Sequence, residues 1–357
     1  MVGTATSWHL SLQGHAVVLL DPCLASEVPE ASSQRGLNGS TASLGVLMGH
    51  CFRRSSGRGW RLRQRSMALW PNWVSQLDHP SSPLSLQTPL VQLAASAEEA
   101  ERMRQLAQAR RERGLQFLEE PALPSAPTPW PRTGHGALLS EQDGRVDPLG
   151  LLRALRRAFK AQGGTLRSTS ARRLERSSAG SNGRWRVVTS AGDSLRVDAV
   201  VICSALGSEA LLEPLGHPRP MEAVLGQVLE LKRQDSQASW EHWPAVLTCG
   251  GINLIPHGER QLWLGATVEP GSEANPSLLP AMQTLNNLAP QWLHDTERVG
   301  QWHGLRARPQ GRPAPLLEQL EPGLILATGH YRNGVLLAPA SAEWVSQQID
   351  GSILTAP

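Results

Sequence analysis

Asp21 is the first residue whose type and position could do chemistry. It closes the apolar run Ala16-Val17-Val18-Leu19-Leu20, which reads as a buried parallel strand. Before it, residues Gly3 to Gly14 read as a helix with Ala5, Trp8, Leu10 and Leu12 on a largely apolar face. A helix that starts at a glycine, followed by a short strand ending in an acid about 18 residues on, is the second half of a dinucleotide-binding βαβ unit. There the acid hydrogen-bonds a ribose hydroxyl, and the free N–H groups at the helix start receive a pyrophosphate. Gly3 takes the place of the third glycine of G-x-G-x-x-G, the one that lets helix and strand pack closely. The first strand and first two glycines are not in the text, and the reading frame upstream of Met1 is expected to encode them. Taken alone, the pair also fits an ordinary helix–strand start of a domain.

The elements that must position such a site recur along the chain. Residues Gly36 to His50 are small and glycine-rich, so backbone N–H groups could approach a phosphate or a planar ring without obstruction. The run Val197 to Cys203 meets the small-residue turn Ser204-Ala205-Leu206-Gly207-Ser208. Near the end, Leu324 to Gly329 repeats the pattern and is followed by His330-Tyr331-Arg332-Asn333-Gly334 and a helix over Ala340 to Ile349. Together with the opening pair, these predict an α/β protein with one Rossmann-like doubly wound sheet, its first strand truncated, interrupted by insertions.

The insertions differ in texture. From Gly57 to Leu118 the text is helical, and Ser96 followed by Glu98 and Glu99 marks a helix start. Ala122 to His135 is proline-rich and irregular. Residues 224–231, 245–255 and 261–268 alternate like strands of an antiparallel sheet. The expected division is a nucleotide-binding domain from 1–50, 144–216 and 305–357, interleaved with a sheet-plus-helices domain from 51–143 and 217–304 that holds the substrate.

Composition narrows the classes. At 357 residues, 40% hydrophobic and 18% charged, the chain makes one large or two ordinary domains. No run approaches the ~18 apolar residues of a membrane helix, and no signal peptide is evident, so a soluble cytoplasmic protein is expected. Cys23, Cys51, Cys203 and Cys249 lie far apart, which excludes a disulfide framework and gives no metal-site spacing. Only Lys160 and Lys232 among the 34 basic residues are lysines, and 31 acids balance the total, so charge alone does not point to nucleic acid.

In motif order the sequence resembles the flavin-dependent amino-acid and amine oxidase family (the D-amino-acid oxidase superfamily), and most of all its glycine oxidase-type members. The segments that carry the likeness are HAVVLLDP (15–22), STASLGVLM (40–48), GRVDPLGLLRAL (144–155), DAVVICSALGS (198–208), LGQVLEL (225–231), WLGATVE (263–269), WHGLRARPQGRPAPLL (302–317) and ATGHYRNGVLLAPASA (327–342). The last is the most specific, and the others persuade through their order.

The resemblance implies FAD as cofactor and places residues upon it. Asp21 falls on the adenosine ribose and Ser40, with Thr41, near the pyrophosphate. The backbone of Ala42, Gly45, Val46 and Leu47 runs along the flavin, and Ala171 falls at the adenine. Gly329, Arg332, Asn333, Gly334 and Val335 border the pyrimidine end, where donors stabilise charge that builds on the ring during reduction. Gly3 and Gly207 complete the cofactor set. Some relatives attach flavin through a cysteine near the clamp motif, and Leu305 to Arg308 contain none, so FAD is expected to be noncovalent.

Arg306 matches the family's arginine that pairs with a substrate carboxylate, for which its planar fork suits better than lysine. Asn253 stands where relatives often carry a tyrosine. Arg332 and His50 complete the expected catalytic set, His50 because it ends the glycine-rich segment, with His303 and His330 nearby in sequence. The implied reaction is oxidation of the C–N bond of a small amine carboxylate by hydride transfer to flavin N5, giving an imine and then an oxo acid, with dioxygen as acceptor. Positioning dominates over acid–base work in such a step. Two alternatives remain open: oxidative removal of a carboxymethyl group from a tRNA wobble uridine, for which the arginine-rich helices would serve as a tRNA surface, and a degenerate paralogue without catalysis. Assembly into a homo-oligomer is also left open.

Overall fold

A computed structural model describes residues 1–25, 28, 38–123, 128–177, 183–235 and 239–354. The start of the glycine-rich stretch (36 and 37) and part of the proline-rich segment (124–127) lie outside the described residues.

Helix α1 (Val2–Leu12) leads into strand β1 (Val18–Leu20). Then come β2 (Val46–Leu47), α2 (Arg58–Leu77), β3 (Leu86–Gln87), β4 (Leu90–Leu93), α3 (Ala97–Ala109), β5 (Leu115–Leu118), β6 (Ala137–Ser140) and β7 (Gly144–Val146). Helix α4 (Pro148–Ala161) is followed by β8 (Thr165–Arg167), β9 (Ala171–Arg176), β10 (Trp185–Thr189), β11 (Ser194–Val197), β12 (Val200–Ile202) and α5 (Ser208–Leu212). The second half holds β13 (Met221–Lys232), β14 (Val246–Cys249), β15 (Ile252–His257), β16 (Gln261–Gly265), β17 (Glu269–Pro270), α6 (Leu279–Gln283) and α7 (Gln291–His294). It closes with β18 (Glu297–Pro309), β19 (Leu316–Glu321), β20 (Leu324–Thr328) and α8 (Ala338–Leu354).

The nucleotide-type sheet appears as two hydrogen-bonded pieces. β1 pairs β8 in parallel, and β12 pairs β20 in parallel with β19 added antiparallel. Gly3, at the head of α1, packs between them: a Cβ there would lie 3.2 Å from the Cβ of Cys203 and 3.8 Å from Cδ1 of Leu19. Close approach of helix to strands is therefore what this glycine permits. α1 is buried on nearly every side, which explains its small residues Thr4, Ala5, Thr6 and Ser7. Trp8 meets Trp73 of α2 edge-on at 4.8 Å, and α4 starts at Asp147, whose Oδ2 accepts from the Gly150 amide at 2.7 Å.

A nine-stranded sheet forms the other body, in the order β17-β13-β16-β15-β14-β4-β6-β5 with β18 also on β13. It draws strands from both 51–143 and 217–304, joined where β14 runs parallel to β4. Two expectations need correction here. The stretch from Gly57 to Leu118 is not all helix, because the short apolar run of β4 is claimed by this sheet between α2 and α3. Residues 245–255 are not one strand either: Gly250 and Gly251, at φ +56° and +82°, turn them into the β14–β15 hairpin. Among the described residues no helix is long and apolar enough to cross a membrane.

Candidate active site

One cavity of about 650 Å³ runs from Asp21, past the 38–46 segment, to the turn after β20 and the inner face of β18. Its walls are mostly backbone fixed from behind. Asn38 Oδ1 accepts from the amides of Ser40 (3.1 Å) and Thr41 (2.9 Å), which folds the turn against β18. At Gly45 (φ +74°) a Cβ would stand 1.9 Å from the Val146 carbonyl oxygen, so only glycine lets this segment lie on β7. Trp302 Nε1 donates to the Ala42 carbonyl at 3.0 Å, and the buried Arg145 guanidinium reaches the Leu44 carbonyl at 3.4 Å. At the Asp21 end, Oδ1 accepts from the Cys23 amide at 2.8 Å.

The far end is made by the turn between β20 and α8. The Tyr331 amide donates to the Ala307 carbonyl at 3.1 Å, which ties that turn to β18, and Tyr331 itself has φ +54°. Gly329, Arg332, Asn333, Gly334 and Val335 all line the cavity. The amides of Gly334 and Val335, in the turn before α8, donate to no backbone acceptor among the described residues. His330 is buried, bonds Ser341 Oγ through Nε2 at 2.8 Å, and is pushed down to about 3, chiefly by burial. It is uncharged at neutral pH and also lines the cavity.

Arg306 sits on β18 opposite Val224 of β13 and lines the cavity. Its Nη1 donates to the carbonyls of Leu225 (3.1 Å) and Thr267 (3.0 Å), while Nη2 has no protein acceptor among the described residues. Burial, then the like charge of Arg332, pushes the guanidinium down to about 10, so it is cationic at neutral pH. Asn253 also lines the cavity. Its Oδ1 accepts from Thr248 Oγ1 at 3.0 Å, which leaves the amide nitrogen as the group it offers.

The structure therefore gathers Asp21, Ser40, Thr41, Ala42, Gly45, Val46, Asn253, Arg306, Gly329, Arg332, Asn333, Gly334 and Val335 around one space. Gly3, Leu47, His50, Ala171 and Gly207 are not on its wall. Leu47 is wholly buried in the hydrophobic core beside α2. Ala171 belongs to β9, and Ser204 and Ala205 line the cavity where Gly207 does not. His50 is held away by its own backbone: Asp143, fully buried, accepts the amides of Gly49, His50 and Cys51 at 2.9, 2.8 and 2.7 Å. Among the described residues the His50 Nδ1 has no hydrogen-bond partner.

Sequence reading missed Asn38, Met48, Phe52, Arg63 and Arg156. Arg63 and Arg156 both line the cavity, and the Arg63 guanidinium lies 3.9 Å from the Phe52 ring centroid. Nothing in a run of arginines marks which one turns inward. Among the described residues no cluster of His, Cys, Asp or Glu could hold a metal.

The cavity's residues fit FAD: a ribose-seeking acid at one end, a backbone-lined channel between, and the Gly334 and Val335 amides at the other. The profile of the family described as FAD dependent oxidoreductase matches residues 1–348. Glycine oxidase of Bacillus licheniformis is 24% identical over 362 residues, 99% of this chain and 91% of that protein. Glycine oxidase of Pseudomonas aeruginosa is 34% identical over 178 residues, 46% of this chain, and the match spans 45% of that relative's length. Among solved structures, glycine oxidase of Geobacillus kaustophilus superposes with TM-score 0.78 at 22% identity, covering 98% of this chain and 92% of that one. Iminodiacetate oxidase of Chelativorans gives 0.76 at 18% identity, covering 100% and 94%. Shared fold is what the structural likeness conveys; the profile match along nearly the whole chain places this protein in the FAD-dependent oxidoreductase family, with FAD as its cofactor.

Proposed function

We propose that the chain oxidises the C–N bond of a small amino acid or secondary amine carboxylate, of the glycine, sarcosine or D-amino-acid kind. The observation that carries this is Arg306: a cationic fork on the cavity wall, pinned through Nη1 and free at Nη2. With both Nη1 hydrogens committed to carbonyls, Nη2 is the donor left to take a carboxylate oxygen in a charge-assisted hydrogen bond. FAD, when bound, supplies the acceptor for the hydride that leaves the carbon next to nitrogen. The chain's own part is to bind and orient: Arg306 takes the carboxylate, Asn253 offers a second donor, and Arg332 with the Gly334 and Val335 amides supplies positive potential at the turn before α8. The imine then hydrolyses to an oxo acid, with dioxygen as the electron acceptor.

Two curated relatives named glycine oxidase and a structural neighbour named iminodiacetate oxidase support a carboxylate-bearing amine. Segments 1–50, 144–216 and 305–357 carry the cofactor in this account, and 51–143 with 217–304 carry the substrate sheet. The tRNA alternative needs arginines free for phosphate. Arg65, Arg102 and Arg104 instead pair with Glu343, Glu98 and Glu119. A peroxide assay of the flavin-loaded protein across glycine, sarcosine, D-alanine and D-proline tests the proposal. Turnover of at least one supports it, and silence with all four overturns it.

A further inference from the structure

Behind Arg306 lies a buried carboxylate that the proposed chemistry does not use. Glu269, only 4% exposed, accepts from the Asn275 amide at 2.7 Å, from Gln227 Nε2 at 3.0 Å and from the Thr267 hydroxyl. The Thr267 hydroxyl in turn accepts from the Gln227 amide at 2.7 Å, and the Thr267 amide donates to the Gln227 carbonyl at 3.2 Å. Gln227 is fully buried, and its Oε1 accepts from Gln301 Nε2 of β18 at 3.0 Å. Thr267 is therefore fixed at hydroxyl and amide, and its remaining backbone group, the carbonyl, is the one that takes Arg306 Nη1.

We infer that Glu269 and Thr267 are positioning residues for Arg306: the carboxylate locks the segment after β16 so that the Thr267 carbonyl holds the guanidinium fork in place before substrate arrives. This rests on Arg306 being the carboxylate clamp. Pre-organisation of this kind adds to affinity by removing the cost of ordering a long side chain on binding. Charge works in the same direction. Burial raises the Glu269 carboxyl, but the Thr267, Asn275 and Gln227 donors and the Arg306 charge outweigh it and hold it below its ordinary value. Arg306 itself faces Arg332, which opposes its charge, and Glu269, which favours it.

The test titrates FAD-loaded protein with glycolate, the hydroxyl analogue of glycine, and reads the visible flavin spectrum. Thr267→Val removes the hydroxyl at constant volume, Thr267→Ser keeps it, and Glu269→Gln removes the charge. Loosening the Thr267 carbonyl in this way is expected to weaken glycolate binding about tenfold in Thr267→Val and Glu269→Gln. Thr267→Ser is expected to bind as the wild type does, and all three to keep their FAD. In an Arg306→Ala background, Thr267→Val should weaken binding no further. Wild-type affinity in both Thr267→Val and Glu269→Gln overturns the inference. Should Glu269→Gln fail to fold, the Val and Ser variants at 267 decide it. Wild-type affinity in Arg306→Ala, or no glycolate binding by the wild type, overturns the clamp itself and is thereby distinguished.

Discussion

Gly226 lies flat against the guanidinium of Arg306: a Cβ there would stand 2.0 Å from Nη2 and 2.4 Å from Cζ. Its φ is not in the left-handed region, so alanine is acceptable to the backbone and the whole conflict falls on the arginine. Gly226→Ala is expected to displace the fork while leaving FAD bound and the melting temperature close to wild type. Displacing a charged hydrogen-bonding partner costs about 2–5 kcal/mol, so kcat/KM for carboxylate substrates should fall at least about 30-fold. Steady-state kinetics with flavin absorbance checks this.

Asn253 and Thr248 act as a pair, because the threonine hydroxyl fixes which end of the amide faces the cavity. Thr248→Val and Asn253→Ala should each raise KM by about threefold to tenfold with kcat little changed, the effect of one neutral hydrogen bond. Asn253→Asp should cost more than Asn253→Ala, since it sets a carboxylate facing an anionic substrate. KM values for the three variants decide the order.

Much of this was legible in the sequence where the signal is local. Asp21 follows an apolar run and does line the cavity; Ser96 was read as a helix start, and its hydroxyl accepts from the Glu99 amide at 3.2 Å. The turn at 329–335 was legible because small residues follow a strand and precede a helix. Contacts set by strand register were not. Gly226 and Arg306 meet only because Val224 pairs with Arg306 across β13 and β18, and Thr267 joins them from the segment between β16 and β17. His50 misled for a related reason: a fully buried carboxylate 93 positions away turns its backbone, which no spacing near residue 50 reveals. The glycine pair at 250 and 251 was visible, yet was read through as strand.

His330 should make stability pH-dependent. Its folded pKa of about 3 lies below its ordinary value of 6.5, so above pH 6.5 both states are neutral and the bond to Ser341 carries no titration cost. Between 6.5 and 3 the unfolded chain binds a proton that the folded chain refuses, and stability falls by about 1.4 kcal/mol per pH unit as pH drops. His330→Gln removes that proton and should show a shallower acid-side loss. Urea unfolding of both proteins at pH 7 and pH 5 measures the difference.

Asp143 organises the loop at 49–51 with three amide hydrogen bonds. Asp143→Ala leaves those donors buried and unsatisfied and is expected to destabilise by about 3 kcal/mol or more. Asp143→Asn keeps one acceptor and should lose less. Denaturant midpoints of the two variants check this.

The most direct test of the central claim compares Arg306→Ala with the wild type, both loaded with FAD, on an amine that bears a carboxylate and on its counterpart without one, such as sarcosine and dimethylamine. The account predicts a loss of at least about 100-fold in kcat/KM on the carboxylate amine, the scale of a buried charge pair broken, with little change on the other. Equal activity of variant and wild type on the carboxylate amine would contradict it.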